Sequence, residues 1–246
     1  MAITTAQLLV NGSNSAGTSY ETASVTIVQG RLNLLSVANA YVGGVAAIPT
    51  VTGASQTWTQ VVTQIDAANV RRVTIFRSLG VGSSGALTID FGGQTQLSCY
   101  WTVDSFRDID KSGANGENAI VQSAGATNSG SQSGITVTLS AFANANNAAF
   151  GAIRTGLGMA GFAQGSGFSL ASNFNGSSAI LNTEWKNSSD TTVDWTWTLV
   201  SIISVACALE IRASNVNSAD GSVLTSTIAK KSGLDRAYIK TWNGRG

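Results

Sequence analysis

Four acidic residues lie close together in the sequence VDSFRDIDKSGANGE, and their carboxylates are the side chains best suited to chemistry. Asp108 and Asp110 have the alternate spacing that opens an EF-hand calcium loop. The twelfth position of such a loop is a glutamate, but here it is Ala119, and Glu117 comes two residues early. We therefore expect a solvated loop whose aspartates cap turns, with an irregular Ca²⁺ site of Asp108, Asp110 and Glu117 as the alternative.

The chain contains no histidine, so it lacks the most common general base. Ser-His and Cys-His nucleophiles and His-ligated zinc sites are excluded for the same reason. A glycosidase needs only two carboxylates, but nothing in the sequence brings Asp104, Asp110 and Glu184 together. The sequence predicts a protein without catalytic residues, metal or cofactor, and therefore not an enzyme.

The two cysteines, Cys99 and Cys207, each lie on the apolar phase of an alternating run. Two small, buried, unpaired side chains would explain that placement. A disulfide between two strands is the alternative, because spacing alone does not give the distance between the Cα atoms. Both alternatives stay open at this point.

The most regular part of the sequence is residues 70–106. Cys99 and Asp104 lie within it, and Asp108, Asp110 and Glu117 follow it. Apolar and polar residues alternate there in three runs separated by glycine-rich turns, which is typical of strands with one buried and one solvated face. Our interpretation is a three-stranded antiparallel meander. A shift of one residue would turn the apolar side chains outward, so the pattern specifies the register.

Alternating runs recur along the rest of the chain, and residues 31–38 form an apolar run expected at the centre of a sheet. About ten to twelve strands result, and they must divide between two packed sheets or close into a barrel. The sequence predicts an all-β fold: an antiparallel, jelly-roll-like β-sandwich over residues 1–213, followed by an extended C-terminal arm, residues 214–246. Further strands are expected at residues 23–28, 57–65, 120–124, 135–142, 148–154, 168–170, 179–186, 191–199 and 204–212.

Charged residues make up only 11% of the chain and sum to a net charge of +1, which gives no overall attraction for nucleic acid or an anionic membrane. We expect neither as a partner. Arg71, Arg72 and Arg77 form the densest basic group, for which we expect a solvated edge or subunit contact, with phosphate binding as the alternative. No signal-peptide pattern or apolar run of transmembrane length is present, so we expect neither Sec export nor a membrane span.

The C-terminal arm, residues 214–246, is polar with isolated apolar side chains, and it cannot bury a core by itself. We expect it to lie on another surface, by adding a strand to a neighbour or by placing an aromatic ring in a pocket. The side chains expected to make that contact are Leu224, Ile228, Tyr238, Ile239 and Trp242.

A series of short sequences resembles a β-sandwich module of structural proteins in tailed bacteriophages. In order they are GRLNLLSVA, QTWTQV, RRVTIFRSLG, GALTIDFGGQ, WTVDSF, ITVTLSAF and SSDTTVDWTW, and AYIKTWNG near the C-terminus is similar to an ending also found in phage and prophage proteins. The resemblance covers most of residues 20–212. It implies a jelly-roll-like virion protein and no catalytic residue.

From these observations we expect a capsid decoration or cement protein that binds neighbouring subunits through its sandwich edges and arm. It would be assembled in the host cytoplasm, lie on the outer surface of the particle and contact capsid or tail subunits, and a homo-oligomer such as a trimer suits this role. A tail or fibre accessory subunit is the first alternative. The second is a module that binds host-surface glycans, with Tyr41, Tyr100 or Trp242 stacked on sugar rings.

Overall fold

The computed structural model describes residues 2–130, 132–156, 161–198 and 202–214, which form antiparallel β-strands and one short 3-10 helix, Ala114–Ala119. An all-β, antiparallel, sandwich-like fold is thus confirmed. The strands are β1 (Thr4–Ser13), β2 (Ser19–Glu21), β3 (Val25–Ile27), β4 (Leu32–Ala40), β5 (Thr50–Gly53), β6 (Thr59–Ile65), β7 (Arg71–Leu79), β8 (Ser83–Gly85), β9 (Leu87–Asp90), β10 (Ser98–Arg107), β11 (Ile120–Ser129), β12 (Gly134–Thr138), β13 (Ala148–Gly156), β14 (Ala163–Gln164), β15 (Ser169–Asn175), β16 (Ala179–Lys186), β17 (Thr192–Thr196) and β18 (Ile203–Ile211).

The strands form four layers. The first inner sheet has the order β1-β10-β4-β7-β6, and the second inner sheet has the order β11-β18-β13-β16-β15. A first outer layer, β2-β9-β5 with the pair β3-β8, covers the first inner sheet, and a second outer layer, β12-β17-β14, covers the second. Because each inner sheet packs against a neighbour on both faces, its central strands β4, β10, β13 and β18 are buried on both faces, whereas the edge strands β11 and β15 keep exposed residues.

The inner core lies between the two inner sheets. Phe106 of the first sheet meets Phe150 of the second edge to face, with ring centroids 5.6 Å apart. Both rings are fully buried, and removal of such a side chain from water contributes about 2–3 kcal/mol. Aliphatic side chains from both sheets complete the layer, among them Leu32, Leu34, Val73, Ile75, Leu181, Val205, Leu209 and Ile211.

The outer cores follow a strict alternation of side chains. In β9, Leu87 and Ile89 are buried while Thr88 and Asp90 are exposed. The same pattern in β12 and β17 leaves a surface of hydroxyl groups on the outer layers. One buried and one solvated face, as the sequence suggested, is therefore correct for the outer strands.

The inner sheets also meet along their edges, since β1 packs beside β15 and β6 beside β11. Gly125 of β11 allows the second of these contacts, because a Cβ there would lie 2.8 Å from the Cβ of Gln64. Real carbon atoms do not approach so closely without displacement of one of them. The glycine thus lets two sheet edges close against each other.

The two halves of the chain share one topology. If the short pair β3-β8 is set aside, each half has eight strands, and these correspond one to one in chain order. Under that correspondence the inner order β1-β10-β4-β7-β6 becomes β11-β18-β13-β16-β15, and the outer order β2-β9-β5 becomes β12-β17-β14. The described residues therefore contain the same strand arrangement twice, with the two inner sheets face to face.

Two expectations about the sheets were wrong. Residues 70–106 are not a meander, because β4 lies between β7 and β10 and β9 belongs to the first outer layer. The strands also do not divide between two sheets, since four layers are present. Alternation reports which residues share a face, but it does not report which strand lies next in the sheet.

Candidate functional site

The loop after β10 holds Asp108 and Asp110 in separate local interactions. Asp110 accepts hydrogen bonds from the backbone N–H and the hydroxyl of Ser112, at 2.9 and 2.7 Å, and these bonds lower the pKa of its carboxyl. Asp108 lies 3.6 Å from the guanidinium of Arg107, and Glu117 is exposed. Across the described ranges no group of three or more His, Cys, Asp or Glu could hold a metal ion. Asp110 thus caps a turn, as the sequence indicated.

Asp104 lies in the inner core with no exposed surface. The hydroxyl of Ser172 donates to its Oδ1 at 2.6 Å, and the hydroxyl of Thr183 donates to its Oδ2 at 2.9 Å. Burial raises the pKa of the carboxyl to about 6, although the two hydroxyl hydrogen bonds oppose the rise. The group thus links the first inner sheet to two strands of the second.

Glu184 is also fully buried, but it lies on the other side of the second inner sheet. Thr183 faces Asp104, so the next residue along β16 points to the opposite face. There Glu184 accepts a hydrogen bond from the N–H of Gly165 through Oε2, while Oε1 has no partner, and burial raises its pKa to about 8. A sheet separates Asp104 from Glu184, and Asp110 is in a surface loop, so these carboxylates form no common site.

The two cysteines are buried and unpaired. Cys99 belongs to the first outer core and Cys207 to the inner core. Burial raises the pKa of the Cys207 thiol to about 12. The disulfide alternative is therefore wrong, and both residues act as small apolar side chains.

The three arginines of β7 bond to other parts of the same chain. Arg71 forms a 2.9 Å ion pair with the buried Asp66. Arg72 is buried and donates from Nε to the carbonyl oxygen of Ala46, and Arg77 donates to the carbonyl oxygen of Asn115. Each guanidinium thus has an intramolecular partner.

A cleft of about 450 Å³ opens at one end of the molecule, between the ends of the two inner sheets. The first sheet contributes the end of β4 and the starts of β7 and β10, and the second contributes the end of β13 and the start of β18. Its walls include Val42, Val70, Leu97 and Ile203, and two guanidinium groups line it, those of Arg71 and Arg154.

Arg154 is the unusual group of this cleft. It is only 5% exposed, and its Nε has no hydrogen-bond partner. No carboxylate of the described residues forms an ion pair with it. Burial, reinforced by the positive charge of Arg71, lowers the pKa of Arg154 to about 10, so the group stays cationic at neutral pH. The sequence analysis missed this residue.

At the mouth of the cleft, the exposed apolar side chains of residues 41–49 and that of Leu97 form a surface, which we call the end patch; Val42 and Leu97 also line the cleft. Val42 is 67% exposed, Val45 58% and Leu97 46%. The loop is held by its backbone, since the amide of Gln94 bonds to the N–H of Ala47 and the carbonyl of Val45, at 2.7 and 3.0 Å. An apolar surface on an ordered loop is typical of a contact with another molecule.

The aromatic residues proposed for sugar stacking have different positions. Tyr100 is fully buried, and its hydroxyl bonds to Asn14 and Ser178. It is therefore not a sugar platform, contrary to one expectation, and Tyr41 is half-buried. Trp242 lies outside the described residues. So do the other proposed contact residues of the arm, Leu224, Ile228, Tyr238 and Ile239.

No protein-family model, curated protein or solved structure matches the chain. In the part of the chain that the structure describes, no helix is long and apolar enough to cross a membrane.

Proposed function

We propose that the chain is a non-enzymatic structural protein of a tailed-phage virion, most specifically a capsid decoration or cement protein on the outer surface of the particle. The observation that carries the proposal is the end patch. Val42 and Val45 are exposed on a hydrogen-bonded loop, and Leu97 is exposed directly before β10 with its N–H bonded to the carbonyl of Ala40, so their exposure is part of the folded state. Burial of such side chains against a neighbouring subunit would stabilise an assembly.

The strand order supports a capsid role. The eight strands of the second half, β11 to β18, can be lettered B to I in chain order. The second inner sheet then has the order B-I-D-G-F, and the second outer layer has the order C-H-E. We interpret this as a jelly roll, an architecture common among viral capsid proteins. The first half has the same order, so the proposal is a protein of two jelly rolls.

The placement of the carboxylates supports a non-enzymatic role. Asp104 and Glu184 have the raised pKa values that general acids need, but both are inaccessible to solvent, and the second inner sheet separates them. A substrate could reach neither group without unfolding the sandwich. Their partners are hydroxyl and backbone groups of the sheets, which fits a structural role.

The test is binding to phage particles that lack the protein, measured by co-sedimentation. The variant Val42→Ser/Val45→Ser/Leu97→Ser should bind at least about tenfold more weakly, because each lost apolar contact weakens the interface by about 1 kcal/mol or more. The control is Val28→Ser/Val81→Ser, which changes exposed apolar residues outside the end patch. Equal binding by the patch variant and wild type would remove the main support for the proposal.

A second variant tests the arm. Deletion of residues 215–246 should abolish attachment to the particle while the thermal unfolding transition of the sandwich is retained. Attachment to capsids and not to isolated tails would favour decoration over the tail accessory role. Full attachment after the deletion would show that the arm makes no contact needed for assembly.

A further inference from the structure

We propose that the cleft between the ends of the inner sheets is a binding site for a carboxylate carried on an apolar chain, with Arg154 as its counter-ion. This inference goes beyond the structural role. It depends first on Arg154, which is no part of the end patch, although Val42 and Leu97 belong both to that patch and to the walls of the cleft. Three features of the cleft support the proposal. They are a buried guanidinium that pairs with no described carboxylate, a net charge of one among the described groups that line the cleft once the ion pair of Arg71 is counted, and apolar walls.

The charge without a partner is the guanidinium of Arg154. Its residue is 5% exposed, its Nε has no hydrogen-bond partner, and no described carboxylate pairs with it. A buried charge is normally paired and hydrogen-bonded, because the loss of hydration is otherwise uncompensated. A bound anion would supply the missing partner.

The charge balance favours a single negative charge. Arg71 also lines the cleft, but its charge is neutralised by the 2.9 Å ion pair with Asp66. Among the residues that the structure describes, one positive charge in the cleft is then left without an ion pair, that of Arg154. A carboxylate matches it in charge and can accept two parallel hydrogen bonds from a guanidinium. A doubly charged phosphate would leave an excess negative charge in a half-enclosed site.

The walls favour an apolar group next to the carboxylate. Val42, Val70, Leu97 and Ile203 line the cleft, and its volume of about 450 Å³ is within the range of small-ligand sites. An alkyl chain or an aliphatic side chain would contact these residues while its carboxylate faces Arg154. The ligand could be a free aliphatic acid or an acidic residue flanked by apolar residues in another protein segment, since both present the same chemistry.

The experiment measures binding of hexanoate to the full chain by calorimetry and by the shift of the thermal transition. Hexanamide, which has the same shape without the charge, is the matched ligand control, and inorganic phosphate is the control for a general anion site. We expect hexanoate to bind at least about tenfold more tightly than either control, because only hexanoate satisfies both the charge and the walls.

Two variants test the role of Arg154. Arg154→Met should weaken hexanoate binding by about tenfold or more, and without ligand it should be at least as stable as wild type, because it removes an unpaired buried charge. Arg154→Lys keeps the charge but loses the paired donors, so we expect intermediate binding. Arg107→Met, at the opposite end of β10, is the control and should bind as wild type does.

A comparison of two synthetic peptides distinguishes the two sources of the carboxylate. A short Leu-Glu-Val peptide, blocked at both ends, is compared with its Leu-Gln-Val counterpart. Binding of the Glu peptide alone would support a protein segment as the ligand, and binding of hexanoate without the peptide would support a free acid. The proposal is overturned if neither hexanoate nor the Glu peptide binds, if the uncharged counterpart or phosphate binds as well as the carboxylate ligand does, or if Arg154→Met binds that carboxylate ligand as wild type does.

Discussion

Replacement of Asp104 by Asn should change the pH dependence of stability in a defined way. The pKa of Asp104 rises from 3.8 to about 6 because the carboxyl is buried. The folded state therefore holds the proton more tightly than the unfolded state. Protonated Asp104 contributes its full share of the free energy of unfolding below pH 3.8. That contribution is lost as the pH rises through about 6 and the carboxyl becomes charged inside the fold. At about 1.4 kcal/mol for each pKa unit, the loss is about 3 kcal/mol.

Asn has a similar shape and does not titrate in this range. The hydroxyls of Ser172 and Thr183, which donate to Asp104 in the native protein, can rotate to accept from the new amide. The free energy of unfolding of Asp104→Asn should therefore rise relative to wild type by about 3 kcal/mol between pH 3.5 and pH 7. At pH 7 we expect the variant to be more stable than wild type.

The assay is urea unfolding of both proteins, followed by tryptophan fluorescence, at half-unit steps from pH 3.5 to pH 8. Glu184 titrates in both proteins, so its effect cancels in the difference between them. Glu21→Gln, which changes an exposed carboxylate on β2, is the control for the loss of a surface charge. If the difference in the free energy of unfolding between Asp104→Asn and wild type is the same at every pH, the reasoning is refuted. A buried carboxylate of raised pKa must make that difference change with pH.

Three further predictions concern other buried positions. In Glu184→Gln the part of the stability loss that Glu184 contributes between pH 4.5 and about pH 8 should disappear, while the loss from Asp104 remains, because the carboxyl of Glu184 no longer charges inside the fold; an unchanged slope in the same unfolding series would contradict it. Gly151→Ala should lower the free energy of unfolding by about 1–3 kcal/mol, since its Cβ would lie 2.5 Å from Cγ1 of Val193, and a neutral effect would show that the second outer core is loosely packed. Cys99 and Cys207 should not react with a thiol reagent in the native protein and should both react in urea, and rapid native labelling of either would disagree with their burial.

The sequence predicted the strands more reliably than their arrangement. Residues 179–186 are a strand with the expected bounds, and the apolar run near residues 31–38 is a central strand. The alternation over residues 97–103 places Tyr100 and Thr102 on a solvated face, yet both are fully buried, and Tyr100 belongs to the inner core. Period-two alternation separates two faces, but it cannot say that the less apolar face is also buried.

The candidate site was less predictable. Arg154 shares its phase in β13 with Phe150 and Ala152, so the alternation alone places a cation on a buried face, and that signal could have been used. The cleft around it could not have been predicted, because it combines the ends of strands distant in sequence. Residues 41–49 of the end patch have only the glycine and proline content of a connection in the sequence, and the bonds of Gln94 that hold them join residues about fifty positions apart, so the ordered loop could not have been predicted.

The most direct test of the proposed virion role is a cryo-EM reconstruction of the native phage particle at side-chain resolution. The account predicts density for this sandwich on the outer face of the capsid lattice, with Val42, Val45 and Leu97 buried against a neighbouring subunit. Density at the tail tip or on fibres, with the end patch facing solvent, would contradict the decoration role. A particle without this chain would contradict the virion assignment itself.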